Sequence, residues 1–239
     1  LAGVGPMGLA AIDYALHCDR KPGLMVVTDI DQTRLDRAAI LHSPENAARE
    51  GIKLIYVNTS NAATAVQELR TLTNGAGYDD VFVFAPVKPV VEQADQILGF
   101  DGCLNFFAGP SNPEFKAEFN FYNVHYAFTH LVGTSGGNTG DMREALKLMA
   151  EGRINPAGMI THIGGLDAVI ETTRHLPEIP GGKKLIYTHK KFPLVALDQL
   201  SAKSEEFPFM AELDKMVKGN DGLWSFEAEK YLLDNAPNI

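Results

Sequence analysis

Leu1-Ala2-Gly3-Val4-Gly5-Pro6-Met7-Gly8 is the stretch that decides the fold. Two apolar residues lead into glycines at G-x-G-x-x-G spacing. Ala10, Ala11, Ile12, Ala15 and Leu16 then repeat at helical intervals. The stretch predicts the end of a strand, a tight turn and the start of a helix. In a dinucleotide-binding turn Gly3 permits the bend, Gly5 lets the backbone approach a pyrophosphate, and Gly8 lets helix pack on strand. Pro6 suits the first helical turn, where an N–H would have no intrahelical partner. The free amides and the dipole of that turn favour an anion, so Gly3, Gly5, Pro6, Met7 and Gly8 are candidate cofactor contacts. Glycines also build ordinary turns and caps, so the residues that follow carry the decision.

An acid follows at a telling distance. The apolar run Leu24-Met25-Val26-Val27-Thr28 ends on Asp29, 21 positions after Gly8. A carboxylate at the tip of this strand can accept hydrogen bonds from the adenosine ribose hydroxyls. Asp31 can cap the next helix, which leaves Asp29 for the ribose.

Composition bounds the alternatives. The chain has 239 residues, 45% hydrophobic and 21% charged, which is ordinary for a globular protein. A net charge of −9, with the acids scattered, gives no footprint for nucleic acid or an anionic membrane surface. No apolar run is long enough for a transmembrane helix. The two cysteines, Cys18 and Cys103, form neither a C-x-x-C pair nor a Cys/His cluster. They read as free thiols in a reducing cytoplasm, and no metal ligands are assigned. Only Leu1 and Ala2 precede Gly3, so the first strand is cut short. The chain is therefore expected to be the later part of a longer polypeptide.

The β-α alternation continues downstream. Val81-Phe82-Val83-Phe84 and Cys103-Leu104-Asn105-Phe106-Phe107 are apolar runs of the kind buried between two helical layers. Ligands in such folds sit beyond the carboxyl ends of the strands, which makes Ala85, Pro86, Phe107 and Ala108 candidate cofactor neighbours. The aromatic segment 119–128 reads as a β segment at or just beyond a sheet edge, able to pair with a copy of itself. His125 and His130 have no acid or second histidine at ligand spacing. The glycine-dense stretch Leu131-Val132-Gly133-Thr134-Ser135-Gly136-Gly137 leaves bare backbone suited to a planar ring, and Gly133, Ser135 and Gly136 are its candidates. Thr139 or Asp141 is expected to cap the next helix. Lys183-Lys184-Leu185-Ile186-Tyr187 reads as the last strand of the sheet, with Lys184 within reach of a phosphate. After about residue 192 the pattern changes to an apolar tail. The expected organisation is a Rossmann domain over residues 1–189 and a carboxyl-terminal extension over residues 190–239.

Together these residues resemble the cofactor half of the medium-chain, zinc-dependent alcohol dehydrogenase family. The similarity rests on Gly3-Val4-Gly5-Pro6-Met7-Gly8, Asp29, the strand end at Phe107-Ala108-Gly109 and the stretch 133–137. It rests further on Ala145-Leu146-Lys147-Leu148-Met149-Ala150-Glu151-Gly152-Arg153-Ile154-Asn155-Pro156 and Ile160-Thr161-His162. Within the family the wording, tail included, is most similar to the bacterial L-sorbose 1-phosphate reductase branch.

The resemblance implies an α/β doubly wound parallel sheet and hydride transfer between NAD(P) and a polyol or ketose, with a sugar phosphate foremost. It implies that Asp29 holds the ribose with Arg34 beside it. Gly133 to Gly136 would border the nicotinamide, and Lys184 would approach the pyrophosphate. Zinc would be held by residues of an amino-terminal domain that this sequence lacks, so the catalytic residues are unknown and the chain alone is expected to give no turnover. Members often dimerise near the segment running from Tyr122 to Phe128. The Asp29 carboxylate would repel a 2′-phosphate, so NAD is expected over NADP, with Arg34 the residue that opposes this. A non-catalytic dinucleotide-binding module is the alternative reading. An S-adenosylmethionine methyltransferase is a more distant one, disfavoured by Gly8 and the late glycines.

Overall fold

In the computed structural model, which describes residues 1–239, the opening residues lie between two parallel strands. Ala2 bridges Thr28 on one side and Val83 on the other. Its amide donates to the Phe82 carbonyl, and the Gly3 amide donates to the Thr28 carbonyl, each at 2.8 Å. On one side of this stub β1 (Leu24–Asp29) pairs with β2 (Lys53–Asn58). On the other, β3 (Tyr78–Val83), β4 (Leu98–Phe106) and β5 (His130–Gly133) follow in that order. Every pairing is parallel. The strand order reverses at the stub, which is the doubly wound arrangement expected from the sequence.

The helical layers follow from strand alternation. Met25 and Val27 pack with Ile12 and Leu16 of α1 (Pro6–His17) and with Leu35 and Ala38 of α2 (Gln32–Leu41). Ala47 of α3 (Pro44–Arg49) joins the same cluster. Val26 belongs to a separate cluster with Leu69 of α4 (Ala62–Thr71) and Val91 and Ala94 of α5 (Lys88–Ile97). Successive residues of a strand point to opposite faces, so a strand covered on both sides must be apolar throughout. Burying each Leu or Ile fully contributes about 1.5–3 kcal/mol.

Two local expectations are corrected. The aromatic segment is not a β strand: α6 (Phe121–Tyr126) occupies it. The Asn120 side chain accepts from the amides of Tyr122 and Asn123 at 3.0 and 3.4 Å. The buried Asp95 of α5 fixes the Asn120 amide at 3.0 Å. A capped start held by a tertiary contact overrides the β preference of the aromatics. The next helix, α7 (Thr139–Ala150), is capped by Asn138, while Asp141 accepts from the Asn138 amide to close a capping box.

The chain forms two compact units, Leu1–Ile154 and Asn155–Ile239. The residue pattern predicts a boundary 35 residues later, at 189/190. In the second unit β6 (Ile160–Gly165) pairs in parallel with β7 (Lys183–Tyr187) and antiparallel with β8 (Val195–Ala196). Lys183 to Tyr187 are therefore not the last strand of the first sheet. They belong to a sheet of the second unit. Residue pattern identifies a strand but not its partner, and a strand joined by a short crossover tends to pair with its predecessor. The crossover carries α8 (Val169–Arg174). The tail is not loose: α9 (Met210–Gly219) and α10 (Phe226–Asn235) bury Met210, Leu213 and Leu232 in a core with Ile163, Phe192 and Trp224. No helix is long and apolar enough to cross a membrane.

Candidate functional site

The carboxyl ends of the first unit's parallel strands share one edge. Across it run Asp29, Gly3, Ala85, Phe107 and Gly133, each at or just past a strand end. At the centre the turn from stub to α1 has a specific geometry. Gly3 sits at φ +100°, a conformation that L side chains rarely adopt. A Cβ at Gly8 would run into the Gly3 carbonyl oxygen. The fold itself therefore requires these two glycines. Gly5 is different. Its φ is −65°, and a Cβ there would meet nothing within 4 Å. Nothing in the folded chain demands its bare backbone.

Asp29 is buried, and both of its carboxylate oxygens are hydrogen-bonded. Oδ2 accepts the Val4 amide at 2.9 Å, and Oδ1 accepts the Asp31 amide at 3.0 Å. The carboxylate is thus held at the mouth of the glycine turn, as the ribose reading requires. Asp31 caps α2 as expected, its Oδ1 accepting from the amides of Thr33 and Arg34 at 2.9 and 3.4 Å. The exposed Arg34 guanidinium lies 3.5 Å from Asp31 Oδ2 and 3.9 Å from Asp29 Oδ2. At the start of α1, Gly5 offers no side-chain cap and Pro6 stands at the first position. The first-turn amides, Met7 and Gly8 among them, have no intrahelical acceptor.

The other half of the edge is aromatic and glycine-rich. The Phe107 and Ala108 amides both donate to the Val83 carbonyl, at 3.2 and 2.9 Å. The Phe84 and Phe107 rings meet edge to face at 5.8 Å. Ala85 backs onto Gly3, and Pro86 is exposed beyond it. Gly133 pairs with Phe106 at the end of β5, while Ser135 and Gly136 are exposed. The Thr134 hydroxyl donates to Asn105 Oδ1 at 3.0 Å. This link, which pins the glycine stretch to β4, escaped the sequence reading. Its signal was a lone polar residue within the apolar run 103–107.

Lys184 lies in the second unit. Its ammonium donates to the carbonyls of Ile179, Pro180 and Gly182 at 3.3, 3.1 and 2.9 Å, and burial lowers its pKa. Burial, helped by the charge of Asp80, pushes the Cys103 thiol up, which makes it a poor nucleophile. His130 pairs with Asp101 at 2.9 Å. No group of three or more His, Cys, Asp or Glu side chains is placed to hold a metal ion. The residues present do not fit a zinc centre.

Known proteins resemble this chain in sequence and fold. The family model described as zinc-binding dehydrogenase matches residues 6–151. The chain is 55% identical over 234 residues to mannitol-1-phosphate 5-dehydrogenase of Aliivibrio fischeri, covering 98% of this chain and 55% of that protein. It is 48% identical over 239 residues to L-sorbose 1-phosphate reductase of Klebsiella pneumoniae, covering 100% of this chain and 55% of the relative. The chain thus spans about half the length of these relatives. Among solved structures, 2R,3R-butanediol dehydrogenase from Bacillus subtilis shares the fold at a TM-score of 0.62 and 22% identity, over 78% of this chain and 49% of that one.

Proposed function

The chain belongs to the zinc-binding dehydrogenase family, and from that premise we propose that it supplies the dinucleotide-holding part of an oxidoreductase. The reaction is hydride transfer between NAD(P) and a polyol or ketose, foremost a sugar phosphate. The observation that carries the reading is the pairing of Asp29 with the glycine turn: the Val4 amide fixes the carboxylate beside Gly5, the one of the turn's three glycines that packing does not explain. Two relatives named for phosphorylated sugars support the substrate class.

A bound nicotinamide dinucleotide supplies the hydride chemistry. This chain binds and orients it. The amides at the start of α1 receive the pyrophosphate, and the bare Gly5 backbone allows the approach. Asp29 accepts from the ribose hydroxyls while its own position is held by two amides. Ala85, Pro86, Phe107 and Ala108 form the floor beside Gly133, Ser135 and Gly136, which border the nicotinamide. With Asp29 charged, NAD is preferred to NADP. Lys184 takes no part in this reading, because its ammonium already serves three carbonyls. The second unit is read as belonging to the substrate-handling part of the whole protein.

The proposal includes a homodimer. β5 is the outer strand of its sheet, and Leu131 and Val132 on it are exposed, as are Tyr122, Tyr126 and Phe128 nearby in sequence. An exposed, proline-free edge with apolar side chains is a template for self-pairing. A cytoplasmic reaction is part of the proposal, and unbridged thiols such as Cys18 and Cys103 suit that compartment.

Titration with NADH tests the reading. Saturable enhancement of NADH emission supports it, and the absence of saturable binding overturns it. For the whole protein, NAD-linked oxidation of a hexitol phosphate is the expected activity.

A further inference from the structure

Asp31 and Arg34 stand on the first turn of α2 beside Asp29, and they differ from it in one respect. Asp29 is buried and bonded through both oxygens to backbone amides. Arg34 is a long, exposed side chain held only by side-chain charge. Its Nε lies 3.5 Å from Asp31 Oδ2 and its nearest terminal nitrogen 3.9 Å from Asp29 Oδ2. Asp31 uses its other oxygen, Oδ1, to cap the helix. Its carboxylate therefore does two separable jobs: one oxygen caps, and the charge restrains Arg34.

We infer that Asp31 is a specificity-determining residue: it ties up the Arg34 guanidinium beside Asp29 and so keeps a latent 2′-phosphate site closed. The inference rests on the dinucleotide reading above. A 2′-phosphate needs a guanidinium that can form paired, charge-assisted hydrogen bonds with it. Arg34 lies 3.9 Å from Asp29 and has the required chemistry. Two carboxylates neutralise it where it stands. Asp31 also repels a phosphate directly. Removing its charge acts on both counts, and asparagine preserves the cap, because its carbonyl oxygen accepts from the same amides.

The test is a set of NADH and NADPH titrations on the chain, followed by nucleotide fluorescence, for the wild type, Asp31→Asn, Arg34→Gln and the double variant. Circular dichroism on each confirms that α2 is retained. Asp31→Asn is expected to shift the ratio of dissociation constants towards NADPH by about tenfold, the scale of one charge-assisted hydrogen bond. The double variant is expected to lose most of that gain, since the gain passes through Arg34. An unchanged ratio in Asp31→Asn, with NADH still bound, overturns the inference alone. A gain that survives in full without Arg34 also overturns it, because repulsion by Asp31 would then be the whole effect. Failure of the wild type to bind either nucleotide overturns the dinucleotide reading itself.

Discussion

The Asp29 carboxylate accepts the Val4 amide at 2.9 Å across 25 residues of sequence. The bond joins the tip of β1 to the turn before α1. It places a buried negative charge beside a helix start that lacks a side-chain cap. An anionic ligand there must use the amides and avoid the acid. The proposed pyrophosphate, with a ribose beyond it offering hydroxyl donors to the carboxylate, meets that requirement.

Asp29→Ala removes the acceptor and leaves the Val4 amide buried without a partner. The expected cost is about 1–3 kcal/mol of stability, read as a lower midpoint in chemical denaturation. NADH affinity is expected to fall by tenfold or more on the scale of a lost charge-assisted bond, roughly 1.4 kcal/mol per decade. Unchanged NADH affinity in the folded variant would show that the carboxylate does not touch the ribose.

Gly5→Ala and Gly8→Ala form a contrasting pair. At Gly8 the new methyl collides with the Gly3 carbonyl oxygen, so the helix must move. Overpacking of this kind costs about 1–3 kcal/mol. At Gly5 the backbone is ordinary and the space is open, so stability is expected to stay within about 0.5 kcal/mol. NADH binding is the measurement that separates fold from site: it should weaken strongly in Gly5→Ala although the protein is intact. Normal binding by that variant would mean that the approach to the turn is not where the pyrophosphate lies.

His162 is expected to give the second unit a pH dependence. Burial, then the neighbouring Lys184 charge, hold its imidazole below the usual range, with Asp198 opposing. The unfolded chain takes up the proton near pH 6.5, while the folded form resists it to lower pH. In that window the unfolded state carries more protons, so stability rises with pH and falls on acidification. Trp224, the sole tryptophan, lies in this unit and reports its unfolding by fluorescence. His162→Asn is expected to flatten the dependence below pH 6.5. An equally steep loss in the variant would assign the effect to other groups.

Tyr187 links β7 to the tail. Its hydroxyl donates to Glu229 at 2.7 Å and accepts the Trp224 indole N–H at 2.9 Å. Burial and the Glu229 charge push its pKa well above the phenolic range. Tyr187→Phe strands the buried indole donor, and a loss of about 1–3 kcal/mol is expected from urea unfolding followed at Trp224. A wild-type midpoint would show that the link contributes nothing net.

Leu131→Lys places a charge on the exposed edge strand β5. Sedimentation should show a dimer for the wild type and a monomer for the variant, with the same circular dichroism. A wild-type monomer would remove the homodimer from the proposal.

The parallel sheet, the helix after Gly5, the cap at Asp31 and the acid at Asp29 were legible in the sequence. Each is encoded by local spacing: glycines where the backbone must turn or approach, apolar runs where both faces are covered, and an acid one strand away. Those spacings act over a few residues and hold wherever the segment lands. What the spacing left open was decided by partners distant in the chain. Asn120, fixed by Asp95, turned the aromatic segment 121–126 into a helix. The strand of Lys183 to Tyr187 paired with Ile160 to Gly165, in a sheet of its own unit. Three carbonyls engaged the ammonium of Lys184, and Val4 took hold of Asp29. A strand's periodicity states that it has two faces and two hydrogen-bonding edges, but it does not say what will meet them. That is fixed only when segments far apart in sequence compete for the same contacts.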